Sequence, residues 1–315
     1  MDKVKFFVIG HVDSGKSTLI GQLLYKSGEI KKLDSTSKES TKYSDLLDVE
    51  QSERDRGITQ FSSINTFTYN NIIFEVIDTP GHLLYIREVI NSISQHRGLI
   101  GCLLLSAIVD EFDSMFNSGT TKEDCILMRC CGINHILICL NKIDKVKDEN
   151  LESNINTIKE KFNSWVSKLG FKSITYCSIS GYGNINLFER SNITNLSLIE
   201  NLITINSNIK IPNKEKIFKN KNKCKLNFYT FDLERILIKG FKSIFHIIES
   251  SIPEIEGEIV FIKNKNTNKD INYINSNENV FMFVLLNDFV DLFEGQRLIL
   301  REGNKTLGFG YVMFS

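Results

Sequence analysis

The chain has 315 residues, more than one hydrophobic core readily organises, so two domains are the expectation. Its 38 Lys and Arg balance 38 Asp and Glu, which excludes a global positive field: any RNA contact must be local, and no DNA partner is expected. Apolar residues make up 42%, no apolar run is long enough for a membrane span, and the seven cysteines contain no C-x-x-C pair, so a cytoplasmic protein with reduced core cysteines and no membrane partner is expected.

In chain order, the first element is the apolar run VKFFVI (4–9), a strand. GHVDSGKST (10–18) follows, and Leu19, Ile20, Leu23 and Leu24 continue it at helical spacing. The stretch fits G-x-x-x-x-G-K-[ST], with Gly10, Gly15, Lys16 and Ser17 at the fixed places and Val12, Asp13, Ser14 and Thr18 completing the loop. Glycines let the backbone wrap an anion with its N–H groups at the positive end of a helix. Lys16 then reaches β- and γ-phosphates, and the Ser17 hydroxyl ligates Mg²⁺. A glycine-rich turn without a ligand is the plain alternative, and the strand before and helix after speak against it.

ERDRGIT (53–59) lies between this loop and the next strand, IIFEVI (72–77). Thr59 is placed to complete a Mg²⁺ shell in a triphosphate state and to let go after hydrolysis. IDTPGH (77–82) ends the strand with Asp78, which holds Mg²⁺ through a water, and Gly81, whose N–H meets a γ-phosphate. Ile86, Val89, Ile90 and Ile93 mark a helix face, and LIGCLLL (99–105) and HILICL (135–140) are further strands. NKID (141–144) closes the second of these. Asn141 faces the purine N7 and O6, the Lys142 stem covers the ring, and Asp144 accepts from N1 and the 2-amino group, which selects guanine over adenine. Leu151, Ile155, Ile158, Phe162, Trp165 and Leu169 mark another helix, SITYCSI (173–179) another strand, and Ser180, Gly181 and Tyr182 after it present backbone N–H groups to the guanine O6.

The alternation of strands and helices up to about residue 205 gives an α/β fold with a mostly parallel sheet, the P-loop domain, assigned to residues 1–208. Seven lysines between 210 and 225 suggest a lysine-rich linker over 209–224, with a solvated connector favoured over an RNA patch. KLNFYTF, EIVFIK, NVFMFVLL, QRLILRE and TLGFGYVMF then read as one small antiparallel β-barrel over 225–315.

GHVDSGKST, ERDRGIT and DTPGH resemble the translational GTPases, and among them the group of elongation factor 1-alpha, the class II release factor and its ribosome-rescue relative. YSDLLDVEQSERDRGIT, the segment 110–144 and QRLILREGNKTLGFGYV extend the resemblance, while TTKED (120–124) replaces the family's QTREH. The resemblance implies GTP and GDP with Mg²⁺ as cofactors, His82 as the residue that orients the attacking water, and a ribosome-stimulated GTPase. It also implies the ribosome as partner, together with a tRNA or a tRNA-shaped protein. The family's first barrel, which cradles the aminoacyl end of tRNA, has no room between SLIENLITI (197–205) and KLNFYTF. Three functions stay open: an elongation factor 1-alpha-type factor, a release or rescue GTPase with a protein partner, and a degenerate GTP-binding paralogue serving as an interaction module. The chain alone is expected to bind aminoacyl-tRNA weakly.

Overall fold

The computed structural model describes residues 2–30, 62–80, 86–94, 99–191, 196–209, 217–231 and 236–314. The chain divides into two compact units, Met1–Arg129 with Ile133–Ile211 and Pro212–Ser315 with Cys130–Gly132.

In the first unit a six-stranded sheet is built from β1 (Lys3–Ile9), β2 (Ser63–Tyr69), β3 (Ile72–Asp78), β4 (Ile100–Ser106), β5 (His135–Asn141) and β6 (Ser173–Ser178), in the order β2-β3-β1-β4-β5-β6. All pairings are parallel except β2 with β3. Every residue of β4 is buried, which suits a strand covered on both faces. Around the sheet lie α1 (Lys16–Lys26), α2 (Ile86–Ser94), α3 (Val109–Asn117), α4 (Thr121–Cys131), α5 (Asp148–Val166) and α6 (Leu198–Ser207). Val4, Phe6 and Val8 of β1 meet Leu19, Ile20 and Leu23 of α1 and Leu198, Ile199 and Leu202 of α6 in one apolar cluster. Phe112 and Phe116 of α3 make edge contacts with Phe162 of α5, with ring centroids 6.5 and 5.9 Å apart.

The parallel sheet with its helices agrees with expectation, and three local features differ. First, β2 was not read as a strand, because SINTFTY is a half-exposed edge with polar alternate positions. Second, the buried stripe of α5 ends on Val166 rather than on Trp165 and Leu169, because the helix gives way to a 3-10 turn at Ser167–Leu169. Third, part of the expected linker is strand: Phe218–Cys224 forms the first half of β7 (Phe218–Thr230). There Lys219, Lys221, Lys223 and Lys225 take alternate positions, so the lysine run is one side of a strand.

In the second unit, β7 joins β8 (Leu237–Ile238), β9 (Lys242–Ile247), β10 (Glu254–Asn264), β11 (Asp270–Ile271), β12 (Tyr273–Ile274), β13 (Asn279–Phe293), β14 (Arg297–Glu302) and β15 (Lys305–Met313). The main sheet runs β11-β10-β13-β7-β15-β14-β9, and β9 pairs back onto β10. That last pairing closes a six-stranded antiparallel barrel, as the sequence led one to expect. Leu226, Phe228, Phe245, Ile259, Met282 and Leu300 are fully buried in its interior.

Candidate functional site

The loops that leave the carboxyl ends of β1, β3, β5 and β6 converge, and the first of them is shaped by glycine. Gly10 has φ 154°, and a Cβ there would lie 2.7 Å from the Leu104 carbonyl oxygen. Gly15 has φ 93°, and its Cβ would lie 2.5 Å from the Asn141 amide nitrogen. Neither place accepts a side chain. Asp13 between them also takes a left-handed conformation, at φ 63°.

Behind the loop α1 begins at Lys16, and its first internal bond runs from the Leu19 N–H to the Gly15 carbonyl at 2.9 Å. The N–H groups of Lys16, Ser17 and Thr18 therefore have no partner inside the helix, at its positive end. Lys16 is buried and donates to the Gly10 and His11 carbonyls at 2.9 and 3.0 Å. Burial pulls its ammonium below the ordinary lysine range, against the opposing pull of Asp78, Asp124 and Asp13. Asp78 is buried at the end of β3, where Thr79 Oγ1 donates to the Val8 carbonyl at 2.7 Å and ties β3 to β1.

The loop after β5 is fastened to its neighbours through Asn141. Its Nδ2 donates to the Ser14 carbonyl at 2.9 Å, and its Oδ1 accepts from the Gly181 N–H at 2.9 Å. The side chain expected only to read a purine thus clamps the loop of residues 10–18 to that of residues 180–182. Lys142 is left-handed at φ 68°, and its ammonium lies 2.7 Å from Glu111 Oε2. Glu111 Oε2 accepts as well from Ser106 Oγ at 2.8 Å. Burial pushes the Glu111 carboxyl upward, but the Lys142 and Ser106 hydrogen bonds and the charges of Lys142 and Lys145 together hold it below the usual range. Ser180 Oγ donates to Asp144 Oδ1 and accepts from the Gly183 N–H at 2.7 Å. Tyr182 is 45% exposed beside them.

The structure therefore brings Gly10, Ser14, Gly15, Lys16, Asn141, Lys142, Asp144, Ser180 and Gly181 together, with Val12, Asp13, Ser17 and Thr18 on the same loop and helix start. Thr59, Gly81 and His82 lie outside the described residues. Sequence reasoning missed Glu111, Ser106 and a further group beside the loop. In that group His11 Nδ1 accepts from the Thr120 N–H at 3.3 Å, and Thr120 Oγ1 donates to the buried Asp124 Oδ2 at 2.9 Å. The only signal for it was the substitution of TTKED for QTREH.

A glycine cradle before α1, a lysine at its first turn and an Asn-Lys-x-Asp cluster across the sheet define a phosphate-loop protein of the translational GTPase group. The chain belongs to the family described as the elongation factor Tu GTP binding domain, which matches residues 1–252. It is 35% identical over 200 residues to elongation factor 1-alpha of Tetrahymena pyriformis, covering 60% of this chain and 46% of the relative. To elongation factor 1-alpha of Desulfurococcus mucosus it is 37% identical over 196 residues, covering 58% and 44%. The chain thus spans about half the length of the curated relatives it matches. Its fold is similar to the S. cerevisiae Ski7 GTPase-like domain, solved bound to GTP, with a TM-score of 0.79 and 14% identity over 100% of this chain and 98% of that one. It is also similar to the bacterial selenocysteine-specific elongation factor EF-Sec, at a TM-score of 0.56 and 15% identity over 99% of this chain and 58% of that one.

Proposed function

We propose that this chain is a guanine-nucleotide switch that binds GTP and GDP with Mg²⁺ and hydrolyses GTP under ribosomal stimulation in the cytoplasm. The observation that carries this reading is the Asn141 clamp, which fixes the phosphate loop and the loop of residues 180–182 to one side chain. Phosphate-binding and base-reading groups then share one rigid frame, and little ordering remains for the ligand to supply. The Gly10 and Gly15 cradle suits a phosphate chain, and the oxygen donors Ser17, Thr59 and Asp78 suit a hard divalent cation. Bound there, Mg²⁺ supplies charge neutralisation at the β- and γ-phosphates. Lys16 holds those phosphates, the Gly81 N–H meets the terminal one, and Asp144 accepts from guanine while Lys142 covers the ring. His82 orients the water, and Thr59 couples its loop to the γ-phosphate.

A second reading concerns the partner. The Ski7 GTPase-like domain has the same extent as this chain and is covered almost completely by it, whereas only 46% of the Tetrahymena pyriformis elongation factor 1-alpha is matched. That architecture favours a release- or rescue-type GTPase with a protein partner over delivery of aminoacyl-tRNA.

GTP turnover with and without ribosomes tests the proposal. The wild type should be stimulated by ribosomes, Lys16→Ala should lose tight binding, and His82→Ala should bind normally while losing at least about a hundred-fold of the stimulated rate. A binding defect in His82→Ala as large as that of Lys16→Ala, or no stimulation of the wild type, would refute the assignment.

A further inference from the structure

The outward side of the barrel carries an aromatic and basic strip that the nucleotide reading leaves without a role. In register across three strands, Phe261 of β10 stands opposite Phe283 of β13, which stands opposite Lys225 of β7. One step along, Lys263 stands opposite Phe281, which stands opposite Asn227. The Phe261 and Phe283 rings meet edge to face with centroids 6.4 Å apart, and Phe261 is 42% exposed. Lysines hang over these rings: Lys225 Nζ is 4.4 Å from the Phe281 centroid and Lys239 Nζ 4.6 Å from that of Phe261. Nearby, Lys265 Nζ is 5.7 Å from the Tyr229 centroid.

Acids do not balance this strip. Asp270 pairs with Lys263 at 3.7 Å, and Glu258 is drawn to Lys242 at 3.7 Å, away from the phenylalanines. Among the described residues, Lys223, Lys225, Lys239 and Lys265 form no ion pair with an acid, and Lys219 and Lys221 extend the same side of β7. A core explanation fails for Phe261, which water reaches on a folded barrel. Aromatic faces interleaved with ammonium groups on the open side of a small barrel form a surface to which unpaired bases and a phosphate backbone are complementary. A duplex offers no base faces to such rings.

We propose that the outer face of β10, β13 and β7 binds single-stranded RNA, with bases stacked on Phe261, Phe281 and Phe283 and phosphates held by the lysines around them. The strip lies wholly within the second unit, so the inference stands apart from the nucleotide reading. The overall charge balance is no obstacle, because the lysines are concentrated on one face.

Fluorescence anisotropy with a short labelled oligouridylate, the same length of RNA duplex and an acidic peptide tests it on the full chain at fixed GDP. The single strand should bind at least about ten-fold more tightly than the duplex or the peptide, since two stacked bases together contribute more than that. Phe261→Ala should lose about ten-fold or more, and Phe261→Tyr, which keeps a stacking face, should retain binding. Lys239→Gln combined with Lys265→Gln should lower the slope of log K against log salt by roughly 1.4. Melting curves show which variants fold, and the tyrosine and lysine variants carry the test if Phe261→Ala does not. Failure to bind the single strand, equal affinity for the duplex, indifference to both the aromatic and lysine changes, or preference for the acidic peptide would each overturn the proposal.

Discussion

Asp124 is buried on α4, and burial pushes its carboxyl up to about 7, against the lowering effects of the Thr120 hydrogen bond and the Lys16 charge, with Glu123 adding to the rise. Its ordinary value is 3.8, so the folded chain keeps a proton that the unfolded chain has released. The contribution of Asp124 to stability therefore falls as pH rises from about 4 to about 7 and is level on either side of that window. Asp124→Asn can still accept the Thr120 hydrogen bond without the buried charge, and Lys16 keeps Asp78 and Asp13 nearby. Denaturant unfolding at saturating GDP should find the variant more stable than wild type at pH 8, by on the order of 4 kcal/mol at most, and nearly equal at pH 4. A variant less stable at pH 8, or with the wild-type pH slope, would show that Asp124 is paid for by contacts other than its protonation. Lys16, Asn141 and Asp144 were legible at this scale because strand ends fix their chemistry at set spacings. Glu111 and Thr120 were not, since they reach the site through space from helices whose sequence carries no matching pattern. Asn141 was found but only half understood, because its hold on Ser14 and Gly181 depends on loops more than a hundred and about forty residues away.

At the scale of elements, α6 shows how one local signal fixes a helix against the sheet. Ser197 Oγ accepts from the Glu200 N–H at 3.2 Å, and Glu200 Oε2 accepts from the Ser197 N–H at 2.8 Å, a reciprocal cap. The Ser197 hydroxyl also donates to the Phe188 carbonyl at 3.1 Å, and Leu198, Ile199 and Leu202 follow into the core beside β1. Ser197→Ala removes both hydroxyl bonds and should cost about 1 kcal/mol, or roughly 2–4 °C in melting temperature, at unchanged nucleotide affinity. An unshifted melt would mean the packed face alone holds α6. Elements with strong apolar period, such as α5 and β4, were plain in the sequence. The edge strand β2 was hidden by its polar positions, although Asn70 and Asn71 both take positive φ, at 49° and 62°, and make a two-residue hairpin turn to β3. Likewise, the lysines of β7 resemble a connector because their charge masks a period of two, and the pairing of Phe218–Lys223 with β13 shows the strand.

Across the whole molecule, the described residues form a mostly parallel sheet with helices in the first unit and a closed antiparallel barrel in the second, the two architectures that the order of motifs along the chain leads one to expect. What the sequence left open is how the groups cooperate, because clamps such as Asn141 and the strip on the barrel depend on register between distant strands. The central claim is that the first unit recognises guanine nucleotide. It rests on Asp144, which accepts from Ser180 Oγ and which we propose accepts also from guanine N1 and the 2-amino group, where adenine would turn an unprotonated N1 toward a carboxylate. Each charged hydrogen bond lost in this way costs about 1.5–3 kcal/mol. The most direct measurement is competition against a fluorescent GDP analogue on the intact chain with Mg²⁺. GTP and GDP should displace it at concentrations at least about a hundred-fold below those of ATP and ADP, in keeping with two such bonds. Displacement by ATP at concentrations similar to GTP would contradict the account.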